Sequence, residues 1–192
     1  MINQPANTIM TVEGSYFDFD HPEQSSFTIE TVAHALSNLC RYTGHTREFY
    51  SVAQHCVYVS HIVPEHLALQ GLLHDAGEAF INDVARPLKN MLPDYRIIEH
   101  RVEKAVFERL GIPVEIAPEV HHADLVMLAT EKRDLMPGNS TRWALLDGIP
   151  MLDMEIEPVL PRQAYRLFMD RYEELTKYDA AVEHVGKLIN RS

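Results

Sequence analysis

His74 and Asp75 interrupt an apolar helical run, Leu69, Leu72 and Leu73, and are followed by Glu78, Asp83 and Lys89. Burying an unpaired carboxylate costs several kcal/mol or forces it to take up a proton. A bound metal ion resolves that conflict by compensating the negative charge in place. On a helix, Glu78 lies four residues after His74 and three after Asp75, near both. His74 and Asp75 are about 100° apart around the axis and can still converge on an ion between their directions. Nitrogen plus carboxylate ligation suits a borderline or hard divalent ion such as Mn, Fe, Co, Ni or Zn. Two ligands are too few, so other elements must supply the rest.

The elements on either side supply them. Thr28 reads as the N-cap of a helix over 28–41, with Ile29, Val32, Ala33, Leu36, Leu39 and Cys40 on one face and Gly44 as its breaker. His34 falls near that stripe and reads as a core histidine rather than a ligand. A second helix over 48–63 stops at Pro64, with Val52, Cys56, Val59 and Val63 as its stripe and His55 beside it. The central helix, 65–81, follows after a very short turn, so the two are antiparallel neighbours. His55 stands about nine residues before that turn and His74-Asp75 about ten after it. Equal distances place them at one height on facing helices, which makes His55 the third ligand.

A further helix over 94–110 is closed by Gly111 and Pro113, and another runs from Pro118 to about 136. The latter carries Val120, Leu128, Glu131 and Leu135 as its stripe, with Asp124 on the same side. A carboxylate in an apolar stripe is again the unexpected residue, and Asp124 is the fourth ligand. His121 and His122 read as exposed or supporting groups. Residues 137–160, with Trp143 and prolines at 137, 150 and 158, form an irregular segment suited to a lid or an oligomer contact. C-terminal helices cover about 161–190, a long one to Lys177 and then an amphipathic turn. Residues 1–27 are poorly periodic apart from a short hairpin over 11–18. The expected fold is therefore all-α, a single domain over 1–192 whose helical core spans about 28–136 and holds the site.

The bulk numbers set limits. At 192 residues, 46% apolar and 23% charged, the chain resembles an ordinary globular domain. Its formal net charge of −11 opposes binding to a nucleic-acid polymer. Residues 1–10 carry no signal-peptide pattern, and no apolar run reaches the roughly 18 residues of a membrane span. Cys40 and Cys56 form no CxxC pair and read as reduced core residues, which fits a cytoplasmic chain.

The arrangement His … His-Asp … Asp resembles the HD-domain metal-dependent phosphohydrolases over roughly residues 28–136. Ser51-Val52-Ala53-Gln54-His55 resembles the first ligand motif of that superfamily, His74-Asp75-Ala76-Gly77-Glu78 the second and Ala123-Asp124-Leu125 the last. Within it, the chain is similar to the bacterial 5′-deoxynucleotidases and to the phage-type dATP triphosphohydrolases. The resemblance implies catalytic roles for Glu78 and Asp83 and substrate-binding roles for Arg41, Tyr42 and Lys89. Tyr42 stands where those families often have tryptophan. The Glu78 position is shared with hydrolases of the guanosine alarmone, whereas the absence of a Gly-Tyr-Pro motif separates the chain from the cyclic-dinucleotide phosphodiesterases.

The same resemblance implies an HD-domain helical bundle with a divalent metal (Co, Mn, Zn, Ni or Mg) and a small deoxynucleotide as substrate. The favoured reaction is hydrolysis of a deoxynucleoside triphosphate, dATP first, at the α-phosphorus to deoxynucleoside and triphosphate. A 5′-deoxynucleotidase acting on monophosphates is the alternative, and a non-catalytic nucleotide-binding module the third reading. A homo-oligomer, dimer or hexamer, is also implied.

Overall fold

The computed structural model describes residues 6–138 and 140–189, the stretch 178–189 by its backbone course alone. The expectations for the opening of the chain and for residue 190 lie partly outside those residues. Helices dominate, as expected: α1 Ile29–Asn38, α2 Val52–Ile62, α3 Ala68–Leu73, α4 Glu78–Ile81, α5 Arg86–Lys89, α6 Pro93–Leu110, α7 Pro118–Asp134 and α8 Pro161–Ile189. A two-stranded antiparallel hairpin precedes them, β1 Thr8–Met10 and β2 Tyr16–Asp18, with Ile9 opposite Phe17. No helix among the described residues is long and apolar enough to cross a membrane.

Local chemistry sets the ends of the helices that carry the site. Thr28 caps α1 by accepting from the Thr31 amide, and Ser51 caps α2 by accepting from the Gln54 amide. That second cap starts the helix at Val52 rather than at residue 48. α1 ends at Asn38, short of the expected 41, because Leu39 turns extended and Cys40 forms a bridge with Ser51. His34 is exposed rather than in the core, since α1 buries Thr31, Val32, Ala33, Leu36 and Ser37 instead. Gly111, at φ 74°, ends α6 in the left-handed conformation that glycine favours. The C-terminal segment is one helix, α8, rather than a helix and a separate turn; Ala164, Phe168 and Leu175 are buried.

The central helix expected over 65–81 is not continuous. A 3-10 turn over Glu65–Leu67 leads into α3, and α4 begins only at Glu78. Between them the backbone keeps bonding three residues back: Ala76 N–H to Leu73 C=O at 2.9 Å, Glu78 N–H to Asp75 C=O at 3.0 Å and Phe80 N–H to Gly77 C=O at 3.1 Å. The chain is therefore over-wound through His74-Asp75, as in the short 3-10 stretches that interrupt helices at functional positions.

α2 and α3 pack at very close range, and Gly71 allows it. A methyl group at Gly71 would stand 3.1 Å from Val63 Cγ2 and 3.2 Å from the Ser60 Cα. Gln70 then holds the α6–α7 connection, donating to Glu115 C=O at 3.0 Å and accepting from Ala117 N–H at 3.1 Å. Arg171 of α8 donates to Ser60 Oγ at 3.1 Å and closes the other side.

Residues 137–138 and 140–160 are irregular apart from a 3-10 turn at Ala144–Leu146, and the latter stretch is pinned to the helices. Gln54 donates to Glu157 C=O and accepts from Val159 N–H, while Thr130 Oγ1 accepts from Leu152 N–H. Both cysteines are free, Cys56 buried and Cys40 partly so.

Candidate metal centre

α2 brings His55, and the over-wound turn after α3 brings His74 and Asp75, to one point. One ligand atom from each of the three lies within 4.8 Å of the others, a group that could hold a metal ion. The imidazole rings stand 5.4 Å apart. His74 Nδ1 lies 2.8 Å from the Gly71 carbonyl, which can only accept, so in the neutral ring, the form that ligates a metal, Nδ1 carries the proton and Nε2 the lone pair. His55 Nδ1 lies 2.6 Å from Glu131 Oε1, with the same consequence where that carboxylate is ionised. Both Nε2 atoms are buried with no well-directed hydrogen bond. They face carboxylates: His74 Nε2 stands 3.2 Å from Asp75 Oδ2, and His55 Nε2 stands 3.8 Å from Asp75 Oδ2 and 3.1 Å from Asp124 Oδ1. Asp124 comes from the middle of α7 and is the most exposed of the four, its side chain 38% accessible.

The charges agree with the geometry. Burial opposes a charge on His74, yet Asp75 holds it well above the usual histidine range. Burial would raise Asp75, but His74, His55 and Arg41 hold it far below the ordinary carboxylate value. Asp124 is lowered to about 2 by His55, His74 and Arg41 against its own burial. These shifts share a cause: two partly buried carboxylates favour positive charge between them. A divalent ion would meet that demand, and two imidazole nitrogens with two carboxylates are a donor set suited to one. Of the four expected ligands, His55, His74 and Asp75 form a group that could hold a metal ion, and Asp124 Oδ1 stands 3.1 Å from His55 Nε2.

Arg41 and Tyr42 reach the centre from the loop after α1. Tyr42 and Thr43 both lie at φ 55°, and Gly44 follows at φ 80°. A left-handed conformation is strained for a β-branched threonine, at about 1–3 kcal/mol per residue. Bonds from Arg41 N–H to Tyr50 C=O and from His45 N–H to Tyr42 C=O fix this turn. The Arg41 guanidinium is buried among three carboxylates: 3.2 Å from Glu131, 3.6 Å from Asp75 and 4.0 Å from Asp124. Tyr42 donates its hydroxyl to Glu131 Oε2 at 2.7 Å, and its ring lies 6.5 Å from that of Trp143.

Glu131 is the residue that sequence reasoning missed. It is fully buried on α7, seven residues after Asp124 and so on the same helical face. The argument that singled out Asp124, a carboxylate inside an apolar stripe, applied to Glu131 equally. His121 and His122, by contrast, are exposed.

Glu78, Asp83 and Lys89 lie close enough for their charges to act on one another and on the centre. Glu78 is buried at the start of α4, its Oε2 without a hydrogen-bond partner and its Oε1 3.9 Å from Lys89 Nζ. Burial, then the charges of Asp75 and Asp83, push Glu78 well above the usual carboxylate range. Asp83 is raised by its burial, and the charges acting on it are those of Arg41, Asp75, Lys89 and His55, so it faces the same cluster. Lys89 is committed to α6, with Nζ 2.5 Å from Glu99 Oε1.

One residue before Glu78, Gly77 and Glu103 are in close contact; a methyl group at Gly77 would stand 2.9 Å from Glu103 Cγ. Burial, then Glu99 one turn away, pushes Glu103 from its ordinary 4.5 up to about 7. The folded protein therefore binds the extra proton between pH 4.5 and about 7, and stability falls as pH rises through that window. Glu103→Gln removes the loss. Its stability gain over the unsubstituted protein should grow from pH 4.5 to 7 and then level off, reaching about 1–2 kcal/mol once solvent screening is allowed for. Urea melts at pH 5 and pH 8 check this; an equal difference at both would refute it.

The fold and the centre define a helical protein with a buried His/Asp group fit for a metal. No family model matches the chain. It is 41% identical over 170 residues to the protein YfdR of Escherichia coli (strain K12), an alignment covering 88% of this chain and 96% of YfdR. At that identity and coverage the chain belongs to the same family as YfdR. It is also 30% identical over 122 residues to the Rhodobacter capsulatus protein RCAP_rcc00048, covering 58% of this chain and 62% of that one.

Proposed function

We propose that the chain is a metal-dependent phosphohydrolase of deoxynucleotides, built as an HD domain. The observation that carries the reading is the paired tautomer control: two buried imidazoles have Nδ1 engaged, and their Nε2 atoms face Asp75 and Asp124. His55, His74, Asp75 and Asp124 would hold the ion, one of Co, Mn, Zn, Ni or Mg. When bound, a divalent ion supplies a lowered pKa for coordinated water and neutralises charge at the phosphorus.

The chain's own residues do the rest. A water oxygen forms a bond to the phosphorus that carries the 5′ oxygen, and the bond from that phosphorus to the 5′ oxygen breaks. The departing 5′ oxygen needs a proton, and the attacking water must lose one. Glu78, whose carboxyl is raised by burial and its acidic neighbours in the metal-free protein, is a candidate for either proton transfer, and Asp83 is placed to orient or accept from water. Arg41 and Lys89 would hold phosphate oxygens, the first by its planar fork and the second as a point charge. Tyr42 would pack on sugar or base.

The sequence resemblance favours a triphosphate, dATP first, with deoxynucleoside and triphosphate as products. One observation favours a monophosphate. A triphosphate needs extra cations, and Arg86, Arg96 and Lys104 are the candidates the chain offers. Arg96 donates to Asn90, Lys104 pairs with Glu108 at 3.9 Å and Arg86 is exposed. None of the three is among the charges that act most strongly on Asp75, Glu78, Asp83 or Asp124. With a net charge of −11 and Arg41 and Lys89 already engaged, a substrate of lower charge is easier to accommodate. A homo-oligomer and a cytoplasmic setting accompany the family reading.

A product assay tests it. Protein stripped of metal and reloaded in turn with Mn, Co, Ni, Zn or Mg is incubated with dATP, dAMP and the other nucleotides, and the products are resolved by chromatography. Intact triphosphate from dATP establishes the triphosphohydrolase, and phosphate from dAMP alone establishes the 5′-nucleotidase. No release from any nucleotide with any metal overturns both and leaves a binding module.

A further inference from the structure

We infer that Glu131 is a positioning residue that fixes the ligating tautomer of His55 and ties that ligand to Arg41 and Tyr42. Three elements meet on this one carboxylate. His55 of α2 approaches Oε1 at 2.6 Å through Nδ1. Tyr42 donates to Oε2 at 2.7 Å and Arg41 Nε donates to the same oxygen at 3.2 Å, both from the loop after α1. Glu131 itself is 0% exposed on α7, seven residues from Asp124. Arg41 Nε and the Tyr42 hydroxyl both donate to Oε2, and the Arg41 guanidinium pairs with the same carboxylate at 3.2 Å, so Glu131 stands as the acceptor of the donors around it. His55 Nδ1 must therefore donate, which leaves the Nε2 lone pair facing Asp75 and Asp124.

The two histidines are controlled differently. His74 donates to a neutral backbone carbonyl, Gly71, which any residue at position 71 would offer. His55 donates to a full negative charge, and a carboxylate on the far nitrogen makes an imidazole a stronger ligand. The same charge neutralises Arg41, whose guanidinium would otherwise repel a cation close to Asp75 and Asp124. Glu131 thus acts on the ion twice without touching it, and it sets where Arg41 and Tyr42 stand.

This inference rests on the metal reading, and the test separates the two. Zinc binding is measured by calorimetry on metal-free unsubstituted protein and on Glu131→Gln, at a temperature where circular dichroism shows both folded. Glutamine keeps the shape and removes the charge. Affinity should fall about 10- to 100-fold. Equal affinity in the two, even with a lowered melting temperature for Glu131→Gln, overturns the inference alone. No zinc binding by the unsubstituted protein overturns the metal reading with it. Nitrogen-15 spectra of the zinc-loaded unsubstituted protein decide the matter if Glu131→Gln does not fold. His55 should carry zinc on Nε2 and a slowly exchanging proton on Nδ1; zinc on Nδ1, or a freely exchanging Nδ1 proton, refutes the assignment.

Discussion

Glu78→Gln is expected to lower kcat by about 10²- to 10⁴-fold, the range of a lost general acid or base, while zinc and nucleotide affinities stay within a few-fold. The glutamine amide matches the carboxyl in size and leaves Lys89 with its closer partner, Glu99. What it lacks is the proton. Burial and the charges of Asp75 and Asp83 hold Glu78 well above the usual carboxylate range, so the group costs stability whenever it ionises. That direction belongs to the metal-free protein; a cation held beside the neighbouring Asp75 would pull Glu78 back toward the ionised form. The substitution should therefore also raise the melting temperature of the metal-free protein, the usual trade of a strained site residue. Steady-state kinetics with calorimetry of the same preparation separates the outcomes. Unchanged kcat would remove Glu78 from the proton transfers and leave Asp83 as the candidate. A parallel loss of zinc affinity would make Glu78 part of the metal's holding group instead.

The candidate ligands were legible because they break a pattern. His74, Asp75 and Asp124 fall in apolar helical runs and His55 beside one, and a short connection at Pro64 aligns the helices that carry His55 and His74-Asp75. Glu131 breaks the same pattern on the same helix face, but its role is carried by distant donors. No local spacing announces that Arg41, Tyr42 and His55 converge on it across 76 to 90 positions of the chain. Arg41 and Tyr42 themselves were legible only through family resemblance, since a loop with left-handed residues at Tyr42 and Thr43 has no periodicity to read. The break in the central helix was hidden for another reason. His74 and Gly77 keep right-handed helical dihedrals, so the over-winding lies in which carbonyl each amide chooses. Of the opening segment only a hairpin was legible, expected over 11–18 where its strands are Thr8–Met10 and Tyr16–Asp18, and the burial of Phe17 was not, because it depends on partners supplied from residues 27 and 80.

Those partners give the other large effect. Phe17→Ala should cost about 3–5 kcal/mol of stability, the range for a buried phenylalanine truncated to alanine. Phe17 is fully buried and stacks on Phe80 with ring centroids 3.9 Å apart and planes at 13°. Phe27 joins both rings, 6.0 Å from Phe17 and 4.9 Å from Phe80. A two-stranded hairpin is marginal by itself, so this anchor holds it to the domain. A single turn such as α4 cannot persist alone either, and Phe80 lies two residues after Glu78 on that turn. The hairpin therefore stabilises the element that presents Glu78, the carboxylate proposed to handle protons, and loosening it should reduce the proposed turnover by misplacing Glu78 before the protein unfolds globally. Tyr16, next to Phe17 on β2 and 41% exposed, is the control: Tyr16→Ala should move the urea midpoint by no more than about 0.5 kcal/mol equivalent. If Phe17→Ala unfolds within about 1 kcal/mol of the unsubstituted protein, the aromatic cluster does not anchor α4. If stability falls as expected but turnover per folded molecule is unchanged, the packing of α4 against α1 and α6 is enough to hold Glu78 in place.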